Sequence, residues 1–186
     1  VKGNKYGIQT GVNGGHNGTK RIITGNEISE NKSWGLYLNG FHKPWNESIV
    51  EQINNNKINS NGSYGVQVSW DRHYAKMEVK GNEIKNNKGD GFGFHETLDN
   101  ELVFQGNVIE NNEGQGVYFS RIYGNVLIQD NVIKNNYYSG LYVGKEGTDN
   151  STEIVIKNNV VSENKRDNDT NENNGITLKY QSSATA

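Results

Sequence analysis

Apolar residues recur at period two in short runs, as in Met77-Glu78-Val79, Leu102-Val103-Phe104 and Ile154-Val155-Ile156. No stretch keeps the i, i+3, i+4 stripe that an amphipathic helix needs, so the pattern predicts short β-strands throughout. The runs are themselves repeated. A segment of the form Gly-apolar-x-apolar opens at Gly35, Gly65, Gly91, Gly116, Gly140 and Gly175, with a degraded copy at Gly7. Each of the six full copies follows a block of the form Asn-x-Ile/Val-x-x-Asn, spanning 26–31, 56–61, 82–87, 107–112, 131–136 and 159–164. The glycines are spaced by 28, 30, 26, 25, 24 and 35 residues, a period that marks a solenoid. Neither a leucine-rich signature nor a six-residue step is present. The chain therefore reads as all-β, a right-handed parallel β-helix of about seven coils with two or three short strands each.

In that fold the repeat residues have assigned work. Each Gly before an apolar run takes positive φ or lets a neighbouring backbone approach closely. Stacked about 4.8 Å apart, Asn31, Asn61, Asn87, Asn112, Asn136 and Asn164 are expected to form a ladder of side-chain amides. Leu36, Val66, Phe92, Val117, Leu141 and Ile176 form one inward column, and Leu38, Val68, Phe94, Phe119, Val143 and Leu178 the next.

Composition adds limits to this picture. The chain of 186 residues carries 19 Lys and Arg against 21 Asp and Glu, a net charge of −2. That is the length of a single domain, 1–186, and a poor match to a general nucleic-acid binder. Apolar runs of three or four residues give no membrane span and no signal-peptide core. Without Cys there is no disulfide framework and no thiolate metal site. The 31 Asn and 23 Gly, poor helix formers and good turn formers, fit a chain of strands and turns. Repeats that reach almost to both ends predict a fragment of a longer protein, with a neighbouring domain or partner chain capping the open coils. The last coil carries a polar insertion, 164–174.

Chemistry is expected on the outward side of the Gly-led strands. One outward column reads Tyr37, Gln67, Gly93, Tyr118, Tyr142 and Thr177, and another Asn39, Ser69, His95, Ser120, Gly144 and Lys179. Trp70, Asp71, Arg72, Glu96, Arg121 and Lys145 follow in the adjoining positions. Aromatic rings interleaved with cations suit an acidic carbohydrate: rings stack on apolar sugar faces, and Arg or Lys pairs with uronate carboxylates. His95 stands midway along the chain, where an imidazole titrating near neutrality suits abstraction of a sugar C5 proton.

The segment Gly91-Phe92-Gly93-Phe94-His95-Glu96-Thr97, with Gly114-Gln115-Gly116-Val117 about twenty residues on, resembles the β-helix of the mannuronan C5-epimerases. In that family a Tyr-Gly-Phe-Asp-Pro-His-Glu segment holds the catalytic groups. The resemblance implies that His95 is catalytic and is followed by Glu96. Asp90 occupies the family's Tyr position and Gly93 its Asp position. Tyr64, which precedes its Gly as Asp90 does, and Tyr118 each lie one coil from Asp90 or Gly93. The expected arrangement is His95 as base, Tyr64 or Tyr118 as acid, and Arg72, Arg121 or Lys145 holding the substrate carboxylate.

No metal site is expected. The run 167–173 alternates oxygen ligands like a calcium loop but lacks the Gly and closing Glu of an EF-hand, so calcium is a weak alternative to no cofactor. His42, His73 and Asp71 lack ligand spacing. The sequence thus predicts a secreted or cell-surface protein whose partner is a polysaccharide, with epimerase or lyase chemistry. The alternatives are a non-catalytic binding module and a structural or adhesin solenoid.

Overall fold

The computed structural model describes residues 1–12, 20–40, 49–69, 75–98, 101–122, 124–146, 153–164 and 175–181. Its strands form three parallel sheets, one of seven strands and two of six, each stacked along a common axis. The chain visits the sheets in turn, so successive strands of one sheet come from successive coils. This is the predicted parallel β-helix.

The seven-stranded front sheet holds the Gly-led runs, including Leu36–Gly40, Val66–Ser69, Phe92–Leu98, Val117–Ile122, Leu141–Glu146 and Ile176–Gln181. Its register pairs Leu36 with Val66, Val66 with Phe92, Phe92 with Val117, Val117 with Leu141, and Leu141 with Ile176. The inward column predicted from the repeat is thereby formed and buried from Leu36 to Leu141, while Ile176 keeps the register but is 43% exposed. Phe92 of this column, Phe94 and Phe119 of the next and Phe104 of a six-stranded sheet are buried in the core, and Phe92, Phe104 and Phe119 make ring contacts at 5.2 to 5.8 Å between centroids. Edge-on and tilted contacts of this kind add to the burial of large apolar area.

The Asn ladder forms as expected and has a second rail. Asn31 Nδ2 donates to Asn61 Oδ1, and Asn61, Asn87, Asn112 and Asn136 repeat the bond onward to Asn164, each at 2.9 Å. Asn26, Asn56, Asn82, Asn107, Asn131 and Asn159, the first residues of the same blocks, make an equivalent chain at 2.8 to 3.0 Å. From Asn56 and Asn61 onward, each Oδ1 also accepts the backbone N–H of the preceding Asn of its rail, as Asn112 Oδ1 does from Asn87. Buried turn amides are therefore satisfied by side chains rather than by water.

The glycines divide by role. At Gly91 a Cβ would lie 2.5 Å from Ile109 Cγ2 and 2.7 Å from the Gly116 carbonyl, so the repeat Gly is required by close approach. Positive φ falls elsewhere, on corner columns such as Glu30, Ser60, Asn86, Asn111, Asn135 and Glu163, at 54° to 58°. On the two six-stranded faces Lys and Glu side chains pair across coils, as Lys76 with Glu101 at 3.2 Å and Lys134 with Glu110 at 3.2 Å. Such exposed pairs keep sheet faces soluble more than they stabilise them.

Candidate active site on the front sheet

A gap in one column creates the site. The outward position that carries Tyr37 two coils earlier and Tyr118 one coil later is Gly93, in register between Gln67 and Tyr118. A Cβ at Gly93 would lie 2.6 Å from His95 Nε2, so the imidazole folds back along its own strand and fills the space a side chain would take. The strand also bulges here. Phe94 pairs with Phe119 but Thr97 with Arg121, leaving His95 and Glu96 opposite Ser120 alone. An extra residue of this kind re-aims a side chain out of the regular alternation.

Among the described residues, three groups surround the ring. Tyr64 meets it edge to face, with centroids 5.3 Å apart and planes at 83°. Tyr118 lies on the other side at 5.1 Å and 40°. Asp90 Oδ2 stands 3.9 Å from Nε2, a separation at which charge acts but no hydrogen bond is made. His95 Nε2 is buried and has no hydrogen-bond partner among the described residues. Asp90 is held from beneath by the Gln115 backbone N–H, which donates to its Oδ1 at 2.7 Å.

The environment sets the charges. Burial pushes the Asp90 carboxyl up to about 6, with the Gln115 N–H pulling the other way. Burial also lowers His95, favouring the neutral ring. At neutral pH Asp90 is ionised beside an uncharged imidazole. That carboxylate favours the ring proton on Nε2 and leaves the lone pair on Nδ1. Tyr64 is raised by burial, then by the Asp90 charge and by Tyr118. Tyr118 is raised by burial, by Tyr142 and by Asp90, against the lowering effect of Arg121 and Lys179. Both phenols therefore hold their protons, and two cations act on the Tyr118 side.

The remaining tyrosines of the face behave differently from the sequence expectation. Tyr142 stacks on Tyr118 at 4.9 Å, and Tyr37 on Trp34 at 4.6 Å, with Tyr6 continuing the pile at 4.9 Å and Lys5 set over Tyr6. Tyr118 and Tyr142, and Tyr6 and Trp34, stack across one coil, whereas Trp34 and Tyr37 stack within a single coil. Tyr37 thus belongs to an aromatic ladder remote from His95, whereas Tyr142 extends the His95–Tyr118 row. Arg121 is exposed on the strand beside Tyr118. Glu96 and Lys145 lie on front-sheet strands, but their side chains fall outside the described residues. Trp70, Asp71, Arg72, His42, His73 and the run 167–173 also lie outside them. Among the described residues no group of three or more His, Asp or Glu is placed to hold a metal.

Sequence reasoning counted Asp90 only as a missing Tyr. The signal that finds it is Gly93: with no side chain between them, a residue two before the inward Phe92 and one three after it meet across the gap. Lys179 was visible in the outward column and is the further cation of the group.

The family model of the right-handed beta helix region matches residues 3–186. The chain belongs to that family. No curated protein and no solved structure matches it.

Proposed function

We propose that the protein acts on an acidic, uronate-containing polysaccharide, with His95 abstracting the C5 proton of a uronate ring. The observation that carries the reading is the neutral, half-buried His95 held between two protonated tyrosines and backed by an ionised Asp90. Opposed acid and base groups with perturbed titration on one polymer-length face suit proton transfer at carbon.

The step balances without a cofactor. The imidazole lone pair takes the C5 proton, and the C–H electron pair moves into the carboxylate, whose added charge Arg121 and Lys179 oppose. Asp90 then faces an imidazolium and stabilises it. Two outcomes branch from this intermediate. Return of a proton to the opposite face of C5 from Tyr64 or Tyr118 inverts the centre; the imidazolium then gives the abstracted proton to solvent, and the tyrosinate regains one from it. Expulsion of the C4 oxygen, protonated by tyrosine, leaves a C4–C5 double bond and cuts the chain.

The test is proton NMR of alginate, polygalacturonate and heparosan incubated with the protein and with His95→Ala. Altered anomeric signals mean epimerisation, new unsaturated ends mean elimination, and either must vanish in the variant. Polymers that bind and broaden without chemical change identify the non-catalytic alternative. Because His95 must be neutral and Asp90 ionised, turnover should rise with pH through about 6. Asp90→Asn should lower kcat about 100-fold, at the low end of a general acid–base contribution, and alter that pH profile.

A further inference from the structure

His95 and Asp90 stand at the centre of a small grid of side chains. The Gly65 N–H bonds the Asp90 carbonyl and the Gly91 N–H bonds the Gln115 carbonyl, so Tyr64, Asp90 and Gln115 follow one another in a column, one coil apart. The neighbouring column runs Gln67, Gly93 and Tyr118 in register. The two tyrosines set against the His95 ring thus hold one diagonal of the grid. Two glutamines hold the other, Gln67 one coil before the imidazole and Gln115 one coil after it. Neither column calls for an amide. The same fold places Tyr37 and Tyr142 in the Gln67 column, and Trp34 and Ser139 in the Gln115 column.

The two amides are also unfinished. In the ladder a buried amide is paired at both ends, as Asn87 is with Asn61, Ile58 and Asn112. Gln67 Oε1 and Gln115 Oε1 are instead buried without a hydrogen-bond partner, as is His95 Nε2 between them. Neither glutamine side chain makes a hydrogen bond among the described residues, and of each amide only the oxygen is buried, so both Nε2 ends reach the surface. Polar groups left unpaired around one reacting group, on a scaffold that satisfies its other amides, are held for something other than the fold. An outward amide N–H2 carries two donors and no charge, so what it meets is an acceptor, and the strongest acceptor on a uronate chain is a carboxylate. Every uronate carries one, and an extended chain advances per sugar by a step close to the ~4.8 Å between coils. With the reacting sugar at His95, the sugars before and after it lie over Gln67 and Gln115.

We propose that Gln67 and Gln115 hold the carboxylates of the two uronates flanking the one at His95, which makes the substrate class a polymer of contiguous uronates. The proposal rests on the polysaccharide reading above. Binding is measured by affinity electrophoresis in gels of alginate or polygalacturonate, whose uronates are contiguous, and of heparosan, in which uronate alternates with an amino sugar. The His95→Ala protein serves as parent, so that no polymer is consumed. Gln67→Glu with Gln115→Glu keeps side-chain size and sets charge against charge. Gln67→Thr with Gln115→Ser removes both amides and copies Thr177 and Ser139, which the two columns already hold. Each pair should weaken binding of the contiguous polymer that the parent binds by about 10-fold, and the parent should bind heparosan about 10-fold less tightly than that polymer. Wild-type protein should alter the contiguous polymer and leave heparosan unchanged. Affinity within twofold of the parent in either pair, or heparosan bound or altered as well as the contiguous polymers, overturns the assignment while the polysaccharide reading stands. If the parent binds none of the three polymers and the wild type alters none, the polysaccharide reading falls and takes the glutamine assignment with it.

Discussion

Asp90 shows at the level of one side chain how a site costs stability. Its carboxyl titrates near 3.8 when unfolded and about 6 when folded. A folded value above the unfolded one means the native state binds the proton more tightly. The stability this contributes is complete below about pH 4 and is lost as pH rises through about 6. Asp90→Asn stays neutral at every pH and keeps an oxygen for the Gln115 N–H. It should match the wild type near pH 4 and exceed it at pH 7.5 by on the order of 2 kcal/mol, as read from urea unfolding at both values. Lowered His95 has the opposite sign, losing stability as pH falls below its unfolded value of 6.5, but it is common to both proteins. A variant that is more stable and less active is the signature of a residue kept for chemistry.

At the scale of the repeated element, the turns carry the energetics. Removing Asn112 takes the acceptor from the Asn87 side-chain and backbone N–H groups and the donor from the Ile84 carbonyl, all within the buried ladder. Asn112→Ala should cost roughly 3 kcal/mol or more in chemical denaturation, since each buried polar group left unpaired costs about 1–3 kcal/mol. Asn26→Ala, at the end of its rail, should cost about 1 kcal/mol. The corner column with positive φ holds Asn at 86, 111 and 135 but Ser60 and Glu163 elsewhere. Asn tolerates this conformation better, so Glu163→Asn should raise stability by about 0.5 kcal/mol in the same assay. Strand, ladder and core column were legible because each is written once per coil, and repetition exposes the register. The second Asn rail was equally regular but needed the coil geometry to show that both ends of the block turn inward. The site was only partly legible for the opposite reason. It is made where the repeat fails, at Gly93 and at the bulge carrying His95, and no period predicts how a side chain fills a gap. The tyrosine columns misled in one respect, since alternation gives the side of the strand but not whether a ring meets sugar or another ring.

Across the whole molecule, coils touch only their neighbours, so stability falls toward the ends. Ile176 and Leu178 in the last described front-sheet strand are 43% and 49% exposed, while the positions in register with them, Leu141 and Val117 for the first and Val143 for the second, are buried. At the other end the interior turns polar: Arg21 Nε donates to Glu51 at 2.6 Å inside the helix, and burial pushes the Glu51 carboxyl up to about 7 against the attraction of Arg21. Hydrogen exchange should therefore be slowest between Val66 and Val143 and faster in both flanking regions. Glu51→Ala, which removes the one carboxylate paired with the buried guanidinium among the described residues while leaving its bond to Thr10, should cost about 3 kcal/mol. The same linear architecture offers the long, straight face on which a polymer can lie with His95 near its middle. Proton abstraction at that point is the central claim, and it is tested most directly by running the reaction in D2O. With a polyuronate substrate, the wild-type protein should place deuterium at uronate C5, or release unsaturated ends, while His95→Ala does neither. Exchange that persists in His95→Ala, or its absence from a wild-type protein that binds the polymer, would contradict the account.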